Sequence, residues 1–164
     1  MKSVVVMGVA GCGKSSVGQA LAQALKLPLV EGDEFHSEQN REKMRRGLAL
    51  TDADRADWLS ALGLALAQHE AGAVLTCSAL KRAYRDRLRS QAPGLRFVFL
   101  DIDPDTAQRR VSERAGEHLF PASLVPSQFA ALESPVGESG VLRVDATQSL
   151  PHLKEIILDW LESE

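Results

Sequence analysis

An α/β fold with a five-stranded parallel sheet and helices on both faces is expected from three features of this 164-residue chain. Short apolar, often β-branched runs alternate with stretches of helical periodicity from end to end, the pattern of repeated strand-helix units. The first apolar run, Val4-Val5-Val6-Met7, leads straight into Gly8-Val9-Ala10-Gly11-Cys12-Gly13-Lys14-Ser15, which matches G-x-x-x-x-G-K-[ST] in the required strand-loop-helix context. No linker, internal repeat or low-complexity tract divides the chain, so residues 1–164 read as a single domain.

Each element has a local reason. Strand one is placed over Lys2 to Met7, and the glycine-rich loop hands over to a helix from Lys14 to Leu25, broken at Lys26-Leu27-Pro28. Leu29-Val30 is a short second strand that ends at Glu31-Gly32-Asp33. A helix from Ser37 to Arg46 is stopped by Gly47. Thr51 reads as the N-cap of the next helix, with Asp52 and Asp54 in its first turn and Trp58, Leu59, Leu62 and Leu66 along its apolar face. That helix runs to about Ala71. Val74 to Cys77 is a third strand, and Ser78 is expected to cap a helix from Ala79 to Gln91. Leu95 to Asp101 is a fourth strand. Asp103-Pro104 starts another helix, since aspartate suits the N-cap and proline the first helical position. A further helix is placed over Ser123 to Leu132, a fifth strand over Val141 to Asp145, and a closing helix over Leu150 to Leu161.

Composition narrows the class of partner. The chain is 45% hydrophobic and 25% charged, ordinary values for a globular protein. A net charge of −3 supplies no basic field for nucleic acid or a membrane surface. The two cysteines, Cys12 and Cys77, cannot form a disulfide framework and fit a reducing cytoplasm. No signal-like segment or membrane-length apolar run is seen.

The glycine-rich loop carries the most specific chemistry. Its glycines allow positive φ, so successive N–H groups can converge on an anion at a helix N-terminus. Gly8, Val9, Ala10, Gly11, Cys12, Gly13, Lys14, Ser15 and Ser16 are therefore candidate ligands of a nucleoside triphosphate. Lys14 opposes the helix dipole unless a polyphosphate is bound, and it is expected to reach the outer phosphates while Ser15 Oγ holds Mg²⁺.

Three further sites face the same strand ends. Beyond strand two, Asp33 is the candidate to orient an attacking hydroxyl and take its proton, with His36 close by. On spacing alone this stretch reads equally as a solvated acidic turn. Lys81, Arg85 and Arg89 share a helix face, which also reads as solvated; Lys81 and Arg85 lie near enough to a strand end to meet an anionic substrate. Arg110 and Arg114 precede Gly116, Glu117 and His118, and a lid over residues 110–132 would bring one of these arginines to a transferring phosphoryl group. Strand three ends in Thr76-Cys77-Ser78 and offers no Walker B acid, and no N-K-x-D reads guanine. These absences favour a kinase for a small metabolite or nucleotide over a motor or switch.

Taken together, the chain resembles the bacterial gluconate kinases of the P-loop kinase superfamily over nearly its whole length. The resemblance rests on the phosphate loop, Gly32-Asp33-Glu34-Phe35-His36, Asp52-Ala53-Asp54-Arg55 with Trp58-Leu59, Cys77-Ser78-Ala79-Leu80-Lys81 with Tyr84-Arg85, His118-Leu119-Phe120 and Ser127-Gln128-Phe129. Where the family often has proline this chain has Ser37, Ala49 and Asp57, and Glu117 stands inserted in the lid run. The resemblance implies a three-layer fold like that of nucleoside-monophosphate kinases with a small lid, a cytoplasmic homodimer, and ATP·Mg²⁺-dependent phosphorylation of D-gluconate. It also implies that Asp33, His36, Arg55, Lys81 and Arg85 bind substrate, and that Lys14, Asp33 and Arg114 or Arg110 are catalytic. Kinases for shikimate, adenylylsulfate or a nucleotide, and a nucleotide-binding regulator without turnover, are the alternatives.

Overall fold

β1 (Val4–Met7) runs through the middle of the molecule because every one of its side chains is apolar and buried. Alternate residues of a strand point to opposite faces, so Val4 and Val6 enter one hydrophobic core and Val5 and Met7 the other. The computed structural model describes residues 3–114 and 121–163. After β1 come α1 (Lys14–Leu25), β2 (Leu29–Glu31), a 3₁₀ turn (Gly32–Phe35), α2 (Glu38–Arg45) and α3 (Asp52–Ala67). They are followed by β3 (Val74–Thr76), α4 (Arg82–Gln91), β4 (Arg96–Asp101) and α5 (Pro104–Glu113). A second 3₁₀ turn (Ala122–Leu124), α6 (Val125–Ala131), β5 (Val141–Asp145) and α7 (Leu150–Ser163) complete the described chain.

The five strands are ordered β2-β3-β1-β4-β5, and all neighbours are parallel. Val5 pairs with Leu75 on one side and Phe97 on the other, which sets the strand ends, and hence the loops beyond them, level with one another. One core lies under α1, α5 and α7, around Val17, Leu21, Val111, Leu153 and Ile157. The other lies under α3 and α4, around Trp58, Leu62, Tyr84, Leu88 and Phe97. Phe97 is fully buried, and removing such a side chain from water contributes about 1.5–3 kcal/mol.

Most boundaries follow the expected local signals. The Ser37 side chain accepts from Asn40 N at 3.1 Å and caps α2, which gives this residue a role where the related family often has proline. Thr51 and Asp54 form a full capping box at the start of α3, and that helix ends at Ala67 rather than near Ala71. The largest departure is α4. It begins at Arg82, not Ala79, because Ala79 has φ of 47° and breaks the helical path. Ser78 is not its cap. The cap comes from a distance, with Arg82 N donating to Glu133 Oε1 at 2.8 Å.

Candidate active site

The loop between β1 and α1 holds Gly8, Gly11 and Gly13 at φ of 146°, 86° and 97°. At Gly13 an added Cβ would meet nothing within 4 Å, so the glycine is required by its left-handed backbone alone. Gly13 also heads α1 with no side-chain cap, leaving the first N–H groups of the helix to a ligand. Not every N–H of the loop is free: Gly8 N donates to Ser78 O, Cys12 N to Val9 O, and Ala10 N to Gln128 Oε1 at 2.7 Å. Lys14 Nζ is folded back on the carbonyls of Gly8 and Val9, at 3.0 and 3.2 Å. Cys12 is buried, and that burial raises its thiol above the ordinary value, so the side chain packs in the core rather than facing a ligand.

Ser15 Oγ donates to Glu31 Oε2 at 3.1 Å, and Thr76 Oγ1 donates to the same oxygen at 2.7 Å. Glu31 was not among the expected site residues. β3 ends without an acid, and the carboxylate facing Ser15 comes instead from β2 and is presented across the end of β3 by Thr76. Asp101, the acid at the end of β4, is committed to Arg143 Nε at 2.8 Å. A hydroxyl beside one carboxylate, next to a site for phosphates, fits Mg²⁺, which favours oxygen ligands and usually takes only one or two side chains. Among the described residues no group of three His, Cys, Asp or Glu forms a protein-only cage, so phosphates and water would complete the coordination.

Gly32 fixes the acceptor side. Its N donates to Thr76 Oγ1 at 3.3 Å and its carbonyl accepts from Trp58 Nε1 at 2.8 Å. An added Cβ would lie 2.2 Å from Thr76 O, so close packing on β3 demands glycine here. Asp33 follows, exposed in the cavity. The His36 ring is buried and stacked on Trp58, with centroids 4.3 Å apart and planes 15° from parallel. Burial lowers its pKa to about 4, outweighing the opposing pull of Asp33, so His36 is neutral at physiological pH. Arg55 Nη1 donates to Leu50 O at 2.8 Å and to Tyr84 Oη at 3.4 Å. Tyr84 Oη in turn donates to Asp52, which also pairs with Lys81 at 3.0 Å.

One cavity is lined by both sets of residues: Lys14 and Ser15 of the phosphate loop, Asp33, His36 and Arg55 of the acceptor side, and also Arg114 and Gln128. The remaining expectations are redistributed. Arg85 does not face it. The side chain is fully buried, with Nη1 on Ala79 O at 2.7 Å, Nη2 on Glu133 O at 2.9 Å and an ion pair to Glu138 at 2.7 Å. A guanidinium wholly buried, with all three nitrogens already donating to protein oxygens, is out of a substrate's reach. Lys81 is the N-cap residue of α4, tied to Asp52, and neither residue lines the cavity. Arg110 reaches the carbonyls of Gly11 and Ala146, at 3.3 and 3.4 Å, behind the phosphate loop. Arg114 lines the cavity, and its buried Nε has no partner among the described residues. Gly116, Glu117 and His118 lie outside the described residues, as does the centre of the expected lid.

Comparison with known proteins supplies the family. A family model described as an AAA domain matches residues 4–135. The gluconokinase of Gluconobacter oxydans is 42% identical over 164 residues, covering 98% of this chain and 92% of that protein. The chain belongs to the gluconokinase family. The solved structure of a gluconokinase from Sinorhizobium meliloti superimposes with a TM-score of 0.90 at 47% identity, covering 99% of this chain and 92% of that one. The APS kinase of Mycobacterium tuberculosis, at 23% identity and a TM-score of 0.73, shares the fold. Membership thus separates the gluconokinase reading from the other P-loop kinases that share only the architecture.

Proposed function

We propose that the chain transfers the γ-phosphoryl group of ATP to the terminal hydroxyl of D-gluconate, giving 6-phospho-D-gluconate and ADP. The observation that carries this reading is the single cavity in which Lys14 and Ser15 face Asp33, His36 and Arg55. Mg²⁺, held through Ser15 with Glu31 behind it, supplies charge neutralisation at the phosphates when bound. Lys14 leaves the Gly8 and Val9 carbonyls for the outer phosphates, and the unpaired N–H groups at the start of α1 take the inner ones. Asp33 orients the attacking hydroxyl and accepts its proton as the new O–P bond forms and the bond to ADP breaks. Positioning matters more here than base strength, because the transition state is loose.

Arg55 is assigned to the gluconate carboxylate, since it lines the cavity and is steered by Leu50 O and Tyr84. Lys81, paired with Asp52 and linked through Tyr84 to Arg55, is assigned to support Arg55. Arg114 is assigned to the transferring phosphoryl group, and Arg110 to bracing Gly11. His36, neutral and buried, is assigned to a substrate hydroxyl. Cys12 and Cys77 are both free and buried, which suits the cytoplasm, and a homodimer is carried over from the family resemblance. The test is ADP release measured with gluconate, shikimate and nucleoside monophosphates as acceptors. Release stimulated by gluconate alone is expected, together with its near abolition in Asp33→Asn. Stimulation by another acceptor, or none, would overturn the substrate assignment.

A further inference from the structure

Ala10 N–H, a donor of the phosphate loop, has a protein partner 118 residues away in Gln128 Oε1. The orientation of that amide follows from chemistry. A backbone N–H can only donate, so the oxygen must face it. Nε2 is then the half that makes no hydrogen bond among the described residues, on a side chain that lines the same cavity as Lys14 and Asp33. Gln128 and Lys14 also lie at the same end of the loop. Lys14 Nζ rests on the carbonyls of Gly8 and Val9, the two residues before Ala10. Lysine at this motif position reaches the outer phosphates, so Gln128 is mounted beside the phosphoryl group that moves.

The mounting is firm. Glu133, just beyond α6, donates from its N to Leu80 O at 2.8 Å, accepts from Arg82 N through its carboxylate, and accepts from Arg85 through its carbonyl. At the other end of the same segment, Gln108 Nε2 donates to Ala122 O at 3.0 Å. A donor whose support is fixed before substrate arrives needs no reorganisation at the moment of reaction.

We propose that Gln128 is a catalytic residue of the transfer: Oε1 braces Ala10 while the Nε2 hydrogens donate to the transferring phosphoryl group. Gln128 gives up no proton and takes none. The hydroxyl proton goes to Asp33 and the electron pair of the broken O–P bond leaves with ADP, while the amide donors stabilise charge on the phosphoryl oxygens by hydrogen bonding. The inference rests on the kinase reading above.

Gln128→Glu separates bracing from donation, because its carboxylate still accepts from Ala10 but offers no donor. Expected are an unchanged melting temperature and ADP affinity, with kcat lower by about 10²-fold, the scale seen when one transition-state donor is removed. ATP affinity should fall relative to ADP, since a negative group then faces the γ-phosphate. Gln128→Met, of similar length, loses both bracing and donation and should show the same fall in kcat; it serves if the glutamate variant does not fold. Wild-type kcat in Gln128→Glu would reduce Gln128 to a brace, and in Gln128→Met it would show both roles dispensable; either result overturns the proposal. If the unaltered protein fails to phosphorylate gluconate, the substrate reading fails by itself. The ATP-to-ADP affinity ratio then decides Gln128, and an unchanged ratio in Gln128→Glu would overturn its contact with the γ-phosphoryl group.

Discussion

His36 carries both a packing and a binding argument. Its ring is held against Trp58, and Asn40 Nδ2 lies 3.4 Å from its Nδ1 while also donating to Asp54 O at 2.9 Å. The second bond fixes the Asn40 amide with its nitrogen toward His36, so Nδ1 accepts and the neutral ring carries its proton on Nε2. Protonation is opposed chiefly by burial, and the folded pKa of about 4 lies below the ordinary 6.5. The unfolded chain therefore binds the proton first as pH falls. Stability from this residue is complete above pH 6.5 and is lost as pH falls from 6.5 toward 4. Urea unfolding across that window should show the decline, and His36→Gln should flatten it. Asp52 and Asp54, both held below the usual carboxylate value by their hydrogen-bond partners Tyr84 and Lys43, act at lower pH and do not obscure the window.

At the scale of elements, the exit of β2 is the joint on which the acceptor side depends. Gly32 is gripped by Thr76 Oγ1 and Trp58 Nε1, and its Cα faces the β3 backbone so closely that a methyl group would lie 2.2 Å from Thr76 O. Gly32→Ala should force β2 away from β3 and cost about 1–3 kcal/mol, read as a lower denaturation midpoint. Asp33 is the next residue, so turnover should fall further than stability explains, because a misplacement of about 1 Å can cost on the order of 10²-fold in rate. Wild-type turnover in a destabilised Gly32→Ala would show that Asp33 keeps its place without this contact. Helix α4 shows a second dependence between elements. Its N-terminus has no cap of its own and takes one from Glu133 after α6, so the turn from Ser78 to Lys81 and the Gln128 segment are positioned together.

For the whole molecule, the Arg85 cluster ties the segment after α6 to the core. Arg85 is fully buried, and the Glu138 side chain is only 8% exposed while it pairs with both Arg85 and Arg89. Burial pushes the Glu138 carboxyl up, but the two arginines outweigh it and hold the group below the ordinary value. Removing one partner strands a buried charge. Glu138→Ala should cost about 3–5 kcal/mol in thermal unfolding, whereas Arg85→Met with Glu138→Leu should recover part of that loss, since no fully buried charge is then left unpaired, although the carbonyls of Ala79 and Glu133 lose a donor. Equal destabilisation in the single and double variants would show that shape, rather than charge, holds this segment. In either background ATP binding should raise the melting temperature, by about 2.7 kcal/mol of added stability at a hundredfold excess over Kd.

The order of strands and helices was legible because each element rests on local chemistry: apolar β-branched runs, caps, and glycines at turns. The bounds of α1 and β5 match the expected ones residue for residue. The phosphate loop and Gly32-Asp33 were legible for the same reason, since their function depends on residues adjacent in the chain. Other features depend on which strands lie side by side and which distant segment returns to cover them. Glu31 reaches Ser15 only because β2 sits beyond β3; Arg85 is buried only because Glu133 and Glu138 come back over α4; Gln128 meets Ala10 only across the folded molecule. Sequence by itself determined the architecture and the phosphate-binding chemistry, both set by short-range geometry. The tertiary structure decided which charges are spent on holding the fold and which are left for substrate, because that choice is made by partners far apart in the chain.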